Sequence, residues 1–288
     1  MFKNITKYLG VIVLVLFSFY YTDKAVDIVK RNDPVMKEIV NNSDNFKVES
    51  INAITIGDTI IPGMNGVEVD IDESYKRMKQ VNGYYESMLM FSEVIPDESL
   101  LEQYDKFIVS GNPFRSDIAL LVKVSNITNL EKIYKIFLDK NTLATFFIDG
   151  SVIENNMDLI YEMASDGFQL ENYGYNDVYS EDNFRWTNNM IFSLTNLEPK
   201  FCYSEYRNYE VLELCSKNKM YTVNPTLNVT NNPFYTVKNN LKEGNIISLN
   251  LTEETVKELP TIISYINQKG YNLVTLNDIV SEERSMEK

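Results

Sequence analysis

The stretch from Asn141 to Gly167 constrains this chain most. Leu143, Ala144, Phe146, Phe147 and Ile148 make a short, almost wholly apolar run, the pattern of a parallel strand covered on both faces. Asp149-Gly150 ends it. Ser151 with Glu154 matches a capping box, and Met157, Ile160, Met163 and Ala164 recur at helical spacing until Asp166-Gly167 closes the helix. A strand, a helix and a following strand imply a right-handed crossover. From Ile118 onward the pattern repeats. Strands are predicted at 118–124, 144–148, 168–170, 200–202, 221–223, 246–250 and 272–275, with helices at 129–140, 153–165, 181–196, 209–219 and 258–269. Such alternation predicts a parallel sheet of the α/β class.

The 288 residues suffice for a sizeable core. Their formal net charge of -14 argues against a nucleic-acid partner, since phosphate binding needs clustered Lys and Arg. The chain contains no histidine, which removes every His-based triad, Cys-His pair and imidazole metal site. Cys202 and Cys215 are too few for a disulfide framework. A bridge between them is one reading; Cys215 on an apolar helical stripe favours the other, a buried free thiol.

Ahead of the sheet the chain divides differently. Tyr8 to Thr22 is uncharged and strongly apolar behind Lys3 and Lys7, and no small-residue cleavage site follows, so residues 1–23 read as an uncleaved transmembrane anchor. Residues 24–46 read as a polar, partly helical stalk, and 47–112 as a small α+β accessory module. In that module Asp72 is the expected cap of a helix at 74–81. Its acids Asp58, Glu68, Asp70 and Asp72 lack calcium-loop spacing and read as solvated turns and a cap. Gly111-Asn112-Pro113 is the expected boundary, leaving 113–288 as the main domain.

Ala144-Thr145-Phe146-Phe147-Ile148 resembles the second strand of the polysaccharide deacetylase family, metal-dependent carbohydrate esterases. Ile118 to Val124 stands where the family has its first strand, and Gly167 to Asn172 where it has G-H-E-I-G-N. Gly244 to Leu249 matches its G-x-I-I-L-L strand, and Leu259-Pro260 through Leu276 its closing helix and strand. The resemblance runs from about Asp117 to the C-terminus. It implies a distorted, incomplete (β/α) barrel with function at the C-terminal strand ends.

The family's chemistry does not carry over with the scaffold. Its T-F-D-D-G motif supplies an aspartate base and an aspartate metal ligand, and alignment puts Lys123 and Val124 there. Tyr173 and Asp177 stand where N-H-[ST]-x-x-H supplies two imidazole ligands. R-P-P-Y-G meets Phe201-Cys202-Tyr203-Ser204-Glu205-Tyr206, with Cys202 at the lost motif, and Asn250 stands where a histidine acid follows the last motif strand. Lys123, Val124, Cys202 and Asn250 are therefore vestigial positions, and no metal or other cofactor is expected. Lys123 is expected to pair with a carboxylate such as Asp177. An all-oxygen metal site from Asp149, Glu171, Asp177 and Glu205 is the weaker reading, solvated helix caps the stronger.

Tyr173, Asp177, Tyr203 and Glu205 are the candidate ligand-binding residues. Tyr173, Tyr175, Tyr179, Trp186, Tyr203, Tyr206 and Tyr209 serve equally as sugar-stacking rings or, Trp186 especially, as core. The apolar N-terminal run implies a single-pass cell-membrane protein, and the resemblance places its C-terminal domain outside the cell. The expected role is non-catalytic binding of a cell-wall glycan or an envelope protein. The alternative is an active deacetylase or C–N hydrolase with a non-standard site.

Overall fold

A computed structural model describes residues 12–18, 20, 24, 25 and 28–284. Among the described residues no helix is long and apolar enough to cross a membrane. The expected anchor at Tyr8 to Thr22 lies partly outside them; Ile12 to Phe17 are helical with exposed side chains.

In chain order the first half contains α1 (Pro34–Ser43), β1 (Ile54–Ile56), β2 (Thr59–Ile61), β3 (Gly66–Val69), α2 (Ile71–Lys79), β4 (Phe91–Val94) and β5 (Phe107–Ile108). Then come β6 (Asp117–Val124), α3 (Leu130–Asp139), β7 (Thr145–Ile148), α4 (Gly150–Asn155), α5 (Met157–Ser165), β8 (Gln169–Asn172) and α6 (Glu181–Thr195). The chain continues through β9 (Phe201–Tyr203), α7 (Tyr209–Lys217), β10 (Tyr221–Val223), β11 (Leu227–Val229) and α8 (Pro233–Asn240). It ends with β12 (Ile246–Asn250), α9 (Glu253–Gln268), β13 (Asn272–Val274) and α10 (Leu276–Val280).

These elements form two compact units that interleave along the chain, one of residues 1–50 and 65–94, the other of 51–64 and 95–288. The small unit packs α1 and α2 beside the antiparallel pair β3–β4, around Val35, Ile39, Val69, Met78 and Leu89. Residues 34–46, expected in a stalk, thus contribute to its core. Its second helix follows directly on Asp70, whose side chain accepts from the Glu73 amide at 2.9 Å, so Asp70 rather than Asp72 is the cap.

The large unit is a half-barrel. Its sheet runs β1-β2-β5-β10-β9-β8-β7-β6-β12-β11, with β13 beside the start of β6, and every pairing is parallel except β1 with β2. Side-chain alternation sorts the core. Ile118, Leu120, Val122 and Val124 pack outward under the helices, while Ala119 and Leu121 point inward with Phe147, Phe201, Tyr203, Val223 and Ile246. Curling is visible in one bond: Tyr203 on β9 reaches Ser248 on β12, across β8, β7 and β6 in the sheet order, at 2.8 Å.

The segment after β5 closes the curl without forming a strand. Val109 N–H donates to the Ile60 carbonyl, Gly111 N–H to the Gly244 carbonyl at 2.8 Å, and Asn112 N–H to the Ile279 carbonyl. Gly111 is glycine for a steric reason: a Cβ there would sit 2.3 Å from Ile279 Cγ1 and 2.9 Å from its carbonyl oxygen. The boundary expected at Gly111-Asn112-Pro113 is therefore core, and the module expected at 47–112 is shared between the two units, with β1, β2 and β5 in the sheet.

Around β7 the helix start also differs. Asp149, not Ser151, caps α4, and the expected single helix breaks at Asn156 into α4 and α5. Cys202 and Cys215 are joined in a disulfide with Cα atoms 6.4 Å apart, correcting the free-thiol reading. α7 lies over β9 and β10, which places Cys215 on the one face of the helix where Cys202 can be reached.

Candidate functional site

The C-terminal strand ends form a rim. Inward alternation along β6 continues from Ala119 and Leu121 to Lys123, while Val124 turns outward and is fully buried, so only one of the two vestigial carboxylate positions faces the site. The Lys123 ammonium lies 2.9 Å from Glu205 Oε2 and 5.4 Å from the centroid of the Tyr203 ring. Both partners of the ion pair are well shielded, with side chains 14% and 22% exposed. The partner is thus Glu205, carried on the turn after β9, and not Asp177. Asn250 is the strand neighbour of Lys123 and donates to the Val229 carbonyl at 3.4 Å; Cys202 faces outward in its disulfide.

Asp149 holds the loop that carries Asp177. Its buried carboxylate accepts from Ser151 N–H at 2.8 Å, Ser151 O–H at 2.6 Å, Asn176 N–H at 3.0 Å and Asp177 N–H at 2.8 Å. It therefore starts α4 and pins the loop after β8 at once. That loop is tightly wound, since Gly174, Asn176 and Asp177 all have positive φ, a region that Gly and Asn tolerate best. Asn172 anchors its base: its Oδ1 accepts from Gly174 N–H and its amide donates to the Phe184 carbonyl and to Asn188 Oδ1.

At this rim lies a cavity of about 260 Å³, lined by Tyr173, Asp177, Tyr179, Tyr203, Glu205 and Tyr206 among others. The four candidate ligand-binding residues are brought together here, in different states. Tyr203 is core: its ring packs on Phe147 and Tyr173, and its hydroxyl bonds Asn228 and Ser248. Burial holds its ionisation above the ordinary tyrosine range. Tyr173 is half-buried, its hydroxyl pushed up to about 12 by burial and then by the negative charges of Asp177, Glu205 and Asp149. Asp177 is exposed, and its carboxylate makes no hydrogen bond or ion pair among the described residues. Tyr206, one of the seven candidate rings, is 82% exposed at the mouth. Trp186 belongs neither to the rim nor to the core: it is 55% exposed on α6 beside Met157 and Met190.

The donor set does not fit a catalytic zinc. Such an ion needs three protein ligands and one open position. Lys123 brings a positive charge to the place of the aspartate base, Val124, at the place of the aspartate ligand, points away, and Asp149 is committed to four donors. Glu171 lies apart from the rim cavity, holding the Lys200 and Phe201 amides at 2.8 Å each, so the all-oxygen alternative loses a member. Among the described residues no group of three or more acids or cysteines is placed to hold a metal.

Residues 117–222 match the family model described as polysaccharide deacetylase. An uncharacterized protein of Bacillus subtilis (strain 168), YlxY, is 28% identical over 278 residues, covering 90% of this chain and 87% of that protein. Wild-type BA3943 of Bacillus anthracis, described as a CE4 family pseudoenzyme, superposes with a TM-score of 0.65 at 23% identity, covering 88% of this chain and 97% of its own. A BA3943 mutant described as having restored enzymatic activity gives 0.66 at 23% identity, with 87% and 99% covered. The Bc1960 peptidoglycan N-acetylglucosamine deacetylase gives 0.54 at 21% identity, with 61% of this chain and 94% of its own covered. Residues 117–222 are thus similar to the polysaccharide deacetylase family, while the rim positions that align with its metal-holding motifs carry other side chains.

Proposed function

We propose that this is a catalytically inactive deacetylase-like protein of the cell envelope, anchored in the membrane through its apolar N-terminal run, whose extracellular half-barrel binds glycan at the tyrosine-lined rim. The observation that carries this reading is the Lys123–Glu205 pair. Amide hydrolysis in this family's manner needs a Lewis acid to activate water and polarise a carbonyl. A protonated lysine shielded against a carboxylate supplies neither a metal ligand nor a free base. The disulfide supports an oxidising compartment, because cytosolic thiols are kept reduced. The tyrosines offer flat apolar faces with polar edges, suited to sugar rings.

Metal analysis of the purified chain, paired with acetate release from an N-acetylglucosamine oligomer, tests the reading. Substoichiometric zinc, no acetate release and glycan retention that survives chelation are expected. Acetate release that Asp177→Ala abolishes would overturn it.

A further inference from the structure

We infer that the rim cavity takes a free-amine hexosamine, a cationic sugar residue, in preference to its N-acetylated form. The inference rests on the glycan-binding reading above and names the ligand class. The cavity of about 260 Å³ falls just below the range of roughly 300–1,000 Å³ usual for enclosed ligands, which suits one sugar ring.

Charge then selects the sugar. Lys123 is neutralised by Glu205 at 2.9 Å, and Asp149 is saturated by its four donors. Asp177 is left as a carboxylate without a partner among the described residues, at the edge of the cavity. Its charge is one of three that, after burial, push the Tyr173 hydroxyl further up, so the field beside that ring is negative. Tyrosine rings attract an ammonium through their faces, and this rim already seats one, Lys123, 5.4 Å from the centroid of Tyr203.

Acetamide recognition has less to work with. Two of the buried hydroxyls around the cavity are already bonded, Tyr179 O–H to the Asn172 carbonyl and Tyr203 O–H to Asn228 and Ser248, while Ser204 Oγ accepts from the Asn208 amide. Neither tyrosine hydroxyl is left to donate to an acetyl carbonyl in a desolvated setting.

Calorimetric titration of the detergent-purified full chain with a glucosamine tetramer and with its fully N-acetylated counterpart tests the inference. The free-amine tetramer is expected to bind about tenfold tighter, the worth of one partly shielded cationic contact. That margin should shrink to about threefold or less in Asp177→Asn, the scale of a single exposed charge pair. Tyr206→Ala, at an exposed position that folding does not need, should weaken both ligands alike. Equal binding, or tighter binding of the acetylated tetramer, overturns the inference and leaves glycan binding standing. A margin that survives Asp177→Asn also overturns it, since general attraction to an acidic surface would explain it. Binding of neither tetramer removes the glycan reading itself.

Discussion

Glu205 and Glu171 are both shielded carboxylates on the same half-barrel, and they are held in opposite ways. Glu205, at the rim, meets a full positive charge 2.9 Å away. Glu171, nearly solvent-free, is held by dipoles instead; its oxygens accept from the Lys200 and Phe201 amides and from Gln169 Nε2 at 2.7 Å. Three dipoles do not offset burial, and the Glu171 carboxyl is pushed up to about 7. The rim has charge compensated by charge, whereas the lower position exchanges a proton near neutral pH. Three-residue β9 joins the two, with Phe201 held by Glu171, Cys202 bonded to α7 and Tyr203 reaching into the rim.

Asp149→Ala should have the largest effect, about 4 kcal/mol of lost stability by denaturant titration, because it orphans donors on two elements. A loss under about 1 kcal/mol would mean the loop after β8 does not depend on it. Cys202→Ala with Cys215→Ala comes next. Releasing a link of sequence separation 13 should cost about 3 kcal/mol and loosen both ends of β9 together.

The pH dependence of stability separates the two glutamates directly. The folded carboxyl of Glu171 binds its proton up to about 7 against an ordinary 4.5, so between those values the folded state holds more protons than the unfolded. Stability from this group is therefore present below pH 4.5 and lost as pH rises towards 7, by at most about 3 kcal/mol. Glu171→Gln should remove that slope, and an unchanged slope would assign it elsewhere. Lys123→Met should cost about 1 kcal/mol, since Glu205 keeps some access to water. Asp177→Asn, at an exposed position, should stay within about 0.5 kcal/mol, which makes it a clean probe of binding.

Much of the barrel is legible in the sequence because its strands are continuous apolar runs. Ile118 to Val124, Thr145 to Ile148, Tyr221 to Val223 and Ile246 to Asn250 fall where the residues predict them. Leu227–Val229 and Pro233–Asn240 are not predicted, being a short strand and a short helix whose polar stretch, Asn224 to Asn232, reads as loop. Asp149 reads as a strand stop, although an Asp two residues before a helical amide is also the plainest cap signal. The gathering of Tyr173, Asp177, Tyr203 and Glu205 follows from strand-end placement. The pairing of Lys123 with a residue 82 positions away does not, because which of several acids meets an ammonium depends on loop paths that local pattern does not encode. Trp186 misleads for a similar reason: a large ring in an amphipathic helix is core only if its angular position faces the sheet.

The ribbon from Val109 to Asn112 decides where this protein can be cut. A fragment starting at Pro113, or the narrower one spanned by the family match, would strip β2 and β5 from β10 and leave the Gly244 and Ile279 carbonyls facing solvent. The half-barrel's own residues begin at Ile51, but a cut there would take α1, with Val35 and Ile39, out of the small unit's core, so a piece that keeps both units whole starts ahead of Pro34.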